Sequence, residues 1–195
     1  MGRLPLLGTG LRAAAYPALL WNGARLHRAG VPDDDGLVLV ALAAAERDAD
    51  TAEVERAVTV GLAVAAELPS MTGGGTVIGR PTTRVVAAAA CAAVATGTPL
   101  SGLDPVLDIA ASLMVVAPPT ATAARHPEFL AGHCLAAGWL APRVLRAGLT
   151  GMESALSHTV ATVIGRPAAG LPVMADVPAA RPTGSHAGEL LARLS

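Results

Sequence analysis

Five histidines, a run of three aspartates and an arginine behind a glycine triplet are the side chains of this chain best suited to chemistry. His27 lies one helical turn beyond Gly23, shortly before the acidic run Asp33, Asp34 and Asp35. If Asp33 or Asp35 holds its second ring nitrogen, the pair is a general base working near neutral pH. The competing reading is a half-buried structural imidazole beside acids that only cap the following helix. Three adjacent acids also resemble a metal loop, yet no second ligand cluster with usable spacing accompanies them, so no metal is expected.

Arg80 follows Gly73-Gly74-Gly75 and precedes Pro81, at an expected helix start. A guanidinium fork beside free backbone N–H groups suits a carboxylate. The glycines do not fit a phosphate loop, which ends in lysine, and a merely pliable loop is the alternative. His126 and His133 are separated by two turns if Pro127 opens a helix; a satisfied core histidine is the plainer reading of His133. His158 and His186 have no partners in sequence and read as surface residues. No nucleophile elbow, dinucleotide fingerprint or zinc spacing is present, so no cofactor is expected.

The chain has no lysine: all 14 basic residues are arginine. No amine is available as base or Schiff-base former, because arginine stays protonated. With 195 residues and a net charge of −1, one domain is expected and nucleic acid is not. Apolar residues make up 52% and aromatics 2%, which predicts a core of Ala, Leu and Val between closely approaching helices. Mean hydropathy is +0.51, and residues 85–103 are uncharged. That stretch is mostly Ala, Thr and Gly with Pro99 near its end, which predicts a buried helix rather than a membrane span. Arg3 is not followed by a compact apolar segment and cleavage site, so a cytoplasmic protein is expected. Cys91 and Cys134 read as reduced core thiols.

The elements that must position these groups are all helical. Helices are expected over 11–26 (bent or delayed by Pro17), 37–47, 51–68, 82–96, 103–116, 127–147 and 150–165. An acidic turn is expected at 31–36 and a glycine-rich loop at 70–81. Thr51 and Asp104 are expected caps, Pro105 opens its helix, and Gly148 stops the sixth helix. The fold class is thus all-α, about seven helices in a single bundle domain over 1–165, with a Pro/Ala/Gly-rich tail over 166–195 that ends in an amphipathic turn.

Four segments in order resemble the helical domain of the MmgE/PrpD family, which includes 2-methylcitrate dehydratase and cis-aconitate decarboxylase. They are Gly8-Thr9-Gly10 with Asn22-Gly23 and His27; the paired Ala-rich stretches 39–46 and 60–68; Gly79-Arg80-Pro81-Thr82 before an Ala-rich helix, followed by 103–112; and Gly132-His133 through Ala136-Ala137-Gly138 to Gly148-Leu149-Thr150-Gly151. The similarity covers about residues 8–165 and omits the family's second, α+β domain. It implies a cleft holding His27, His133, Asp33 and Asp35 as catalytic groups, with Arg80, Thr82, His126 and Asn22 binding substrate.

The departures are chemical. No His-Pro-Gly follows the acidic turn, Arg80 stands where the family has histidine, Ala63 stands where it has glutamate, and no lysine occurs near Pro127. The expected activity is therefore a cofactor-free, reduced form of the family's chemistry. Proton abstraction next to a carbonyl or carboxylate would lead to dehydration, isomerisation or cyclisation, with natural-product biosynthesis as one expected setting, by a homodimer. The rival expectation is a non-catalytic helical subunit completed by a partner chain.

Overall fold

The computed structural model describes residues 3–31, 33–45, 50–72, 80–115 and 127–164; among these, the side chains of 33–34, 69–72, 80–83 and 160–164 are outside the description. A short antiparallel hairpin, β1 (Leu4–Pro5) and β2 (Arg12–Ala13), precedes seven helices. They are α1 (Ala15–Arg28), α2 (Asp33–Ala44), α3 (Thr51–Thr72), α4 (Arg80–Ala95), α5 (Asp104–Ser112), α6 (Pro127–Arg146) and α7 (Ala155–Ile164), with a 3-10 turn, Leu100–Gly102, before α5. The all-α reading is what the structure shows.

Helix α4 is the axis. Every residue from Val85 to Ala93 is at most 1% exposed, and α2, α3, α5 and α6 pack around it. A helix apolar all round belongs in such a place. No helix among the described residues is long and apolar enough to cross a membrane. The expected thin helix–helix seams are present. A Cβ on Gly132 of α6 would overlap the Leu20 carbonyl of α1, and one on Gly138 would lie 2.7 Å from the Val85 carbonyl of α4. With so few aromatics, the core gains burial by bringing backbones together instead of by filling space with large rings.

Helix ends follow local chemistry. α1, α4 and α6 each finish on a left-handed glycine, Gly30, Gly97 and Gly148. Each makes the same paired bonds, for instance Gly148 N–H to the Leu145 carbonyl and Leu149 N–H to the Val144 carbonyl. Pro17 delays α1 to Ala15 without breaking it, because the first turn has no intrahelical use for its missing donor.

Several boundaries differ from the sequence reading. The three aspartates are the first turn of α2, not a turn before it; carboxylates favour a helix N-terminus on either side of the boundary. α3 runs through Pro69 to Thr72, since one lost donor is outweighed by Val64 and Leu68 buried in the core. α4 opens at Arg80, with Pro81 inside its start, so the expected loop is shorter at both ends. Asp104 lies within α5, and the capping position is Leu103, which supplies no side-chain bond. α5 ends at Ser112, short of Val116.

α7 starts at Ala155, five residues later than expected, because Gly151 and Ser154 are held against α5. The Asp108 carboxylate accepts Ser154 N–H at 2.9 Å and Leu156 N–H at 3.1 Å, capping α7 from another helix. Residues 165–195 lie outside the described residues.

Candidate functional site

Four helices meet at a narrow crevice. α1 contributes Gly23, Leu26 and His27, α2 contributes Gly36, α4 contributes Arg84, and α6 contributes Ala131 and Leu135. Its form comes from the glycines. Gly23 lies against Gly132, and a Cβ on Gly36 would come within 3.1 Å of Leu135, so the helices close to near contact and only polar tips remain at the rim. The cavity volume is about 20 Å³, space for one water.

His27 is half-buried in the last turn of α1, and Asp35, only 6% exposed, is next to the lining residue Gly36. Arg84 is half-buried on α4; burial draws its guanidinium below the ordinary arginine value, with the nearby Cys134 offsetting part of that. Every buried side-chain nitrogen or oxygen among the described residues has a partner. The crevice can therefore present an imidazole and a guanidinium to one small group, with acids at the adjoining α2 N-terminus.

The remaining expected residues are dispersed. His133 is on the other side of α6 from Ala131 and Leu135, about 200° around the helix. Its Nε2 is 3.4 Å from the Leu113 carbonyl, and its ring stacks on Phe129 with centroids 6.4 Å apart. It does not line the His27 crevice. Asn22 is 4% exposed and faces the hairpin. Its Oδ1 accepts Leu7 N–H at 2.8 Å and its Nδ2 donates to the Pro5 carbonyl at 3.0 Å. The Gly8-Thr9-Gly10 segment is the hairpin turn that Asn22 pins down.

Asp33, Arg80 and Thr82 sit in the first turns of α2 and α4, with side chains outside the described residues, and His126 is outside them altogether. No metal-binding cluster of three or more ligands occurs among the described residues.

Sequence reasoning missed Arg84. The available signal was a single charge heading an otherwise uncharged Ala-rich run, which marks a polar group carried into the centre of the bundle.

The two thiols are inert. Cys91 is fully buried and donates to the Leu37 carbonyl at 3.4 Å. Burial pushes its thiol far up, and pushes Cys134 up to about 12 despite Arg84 nearby.

Two larger hollows lie elsewhere. One of about 430 Å³ is bounded by Glu53, Arg56 and Arg146 where α2, α4 and α6 end. The other, of about 520 Å³, is apolar and is lined by Pro17, Leu20, Trp21, Ala24, Glu128 and Phe129. No family model, curated protein or solved structure matches the chain.

Proposed function

We propose that the four-helix crevice carries cofactor-free acid–base chemistry on a small carbonyl- or carboxylate-bearing molecule. The observation that carries this reading is the convergence of His27 and Arg84, from helices far apart in sequence, on one crevice beside the acidic start of α2. His27 takes a proton from the carbon next to the carbonyl. The C–H electron pair moves onto the carbonyl oxygen, and the Arg84 guanidinium donates hydrogen bonds to the enolate that forms. For dehydration, the enolate pair returns to form the C=C bond as the β C–O bond breaks, and the leaving hydroxyl takes the proton held by His27 and departs as water; return of that proton to another carbon completes an isomerisation. The resemblance of residues 8–165 to the MmgE/PrpD helical domain supports the same class of reaction.

Because the crevice holds only one water, this reading requires the helices around it to part for substrate to bind. Hydrogen–deuterium exchange in D2O, followed by NMR over a panel of small hydroxy-, di- and tricarboxylates, tests the reading. Wild-type protein should exchange the proton next to the carbonyl in at least one acid, His27→Ala should abolish this, and Arg84→Gln should raise KM. Exchange that persists at full rate in folded His27→Ala would remove the proposal.

The closed crevice favours a second reading, a helical subunit completed by another chain. Co-purification of a stoichiometric partner, with exchange activity appearing only in the complex, distinguishes it.

A further inference from the structure

The chain has four aromatic residues, and two of them, Trp21 and Phe129, stand exposed around one apolar groove between α1 and α6. Trp21 is 44% exposed and Phe129 55%. The indole N–H of Trp21 already donates to the Leu7 carbonyl at 3.1 Å, so what remains open is ring surface that needs only apolar cover. Glu128 lines the same groove, half-buried and with no ion pair among the described residues. An occupant should therefore be apolar and bring one cation.

Size decides the kind of occupant. At 150–250 Å² per aromatic side chain, the two rings leave roughly 200 Å² open. A stable interface between folded chains buries about 800 Å² on each side, far more than this groove provides. A single helical turn matches the area, and a tethered one needs little intrinsic affinity because its effective concentration is high.

The sequence contains a segment of matching pattern: at helical spacing Leu190, Leu191 and Leu194 would share one face, with Arg193 among them. The chain between Ile164 and Leu190 spans more than about 80 Å when extended, several times the radius of gyration of about 15 Å for a domain of this size. Reach sets no obstacle.

We propose that residues 189–194 dock in the α1–α6 groove, setting Leu190, Leu191 and Leu194 on Trp21 and Phe129 and placing Arg193 beside Glu128. This is the helix-in-groove mode applied within one chain.

Acrylamide quenching of the full chain tests it, with the buried Trp139 as an unquenched internal reference. Wild type should show Trp21 protected, independent of protein concentration. Leu191→Asp/Leu194→Asp should lose that protection and shift Trp21 emission to the red, with circular dichroism unchanged. Glu128→Lys should lose part of it, and Glu128→Lys/Arg193→Glu should regain it. Equal quenching in wild type and Leu191→Asp/Leu194→Asp would overturn the proposal. So would protection that rises with protein concentration, which assigns the groove to a second copy, or failure of the charge reversal to restore protection.

Discussion

Asp108 of α5 holds Ser154, the residue before α7, by accepting its backbone N–H at 2.9 Å, and accepts Leu156 N–H with its other oxygen. Ser154 has φ +59, a conformation that a serine rarely adopts unless held. Asp108→Ala should therefore destabilise the protein by about 1–2 kcal/mol, the usual cost of a lost N-cap. A urea titration measures this, and early hydrogen exchange confined to α7 would locate the loss. An unchanged midpoint would mean that water replaces the carboxylate fully.

Gly132→Ala separates two opposing effects. Alanine gains about 1 kcal/mol in helix propensity. Its methyl group, however, meets the Leu20 carbonyl, backbone that cannot turn aside, and overpacking of that kind costs about 1–3 kcal/mol or more. A net loss in thermal stability is expected. Gly148→Ala has open space at the same atom but a φ of +84, and should cost about 1 kcal/mol through strain alone. If both variants melt alike, close helix contact is not what Gly132 provides.

Asn22→Leu keeps the volume near that of the amide but removes both bonds to the hairpin, at Leu7 and Pro5. Losing two bonds to part-buried backbone groups should cost about 1–2 kcal/mol. The hairpin amides should lose protection from exchange while α4 keeps its own. Retained hairpin protection would contradict the clamp.

Alkaline pH should destabilise the fold through its thiols. The Cys134 thiol is raised from 9.0 to about 12, so above pH 9 the unfolded chain releases a proton that the native state retains. Stability conferred by this group is complete below 9 and declines by about 1.4 kcal/mol per pH unit until about 12. Cys91 adds in the same direction. Cys134→Ala should flatten the stability–pH curve over that window, measured by denaturant midpoints. An aromatic disulfide reagent at pH 8 should label neither thiol in the native protein.

Much of the fold was legible because helices announce themselves through composition and stop signals. The left-handed glycine at position 148 and the apolar run at 85–93 lay where expected, since both depend on local chain properties. Boundaries set by distant contacts were not legible. The late start of α7 depends on Asp108, a residue that precedes it by a loop and a whole helix.

The candidate site shows the same division. His27 was readable as an imidazole at a helix end near acids. Arg84 gains its importance only because α4 carries it to a crevice also lined by α1, α2 and α6. His133 and Asn22 share their segments with His27-like signals, but helix phase turns one toward α5 and the other toward the hairpin.

The encasement of α4 also sets how the molecule comes apart. Peeling α2, α3, α5 or α6 away would wet a surface made almost wholly of alanine and valine, so these five helices must melt as one cooperative block. α7, whose principal contacts among the described residues are with α5 and, more weakly, α3, is the segment best placed to detach by itself, and the Asp108 carboxylate is its latch.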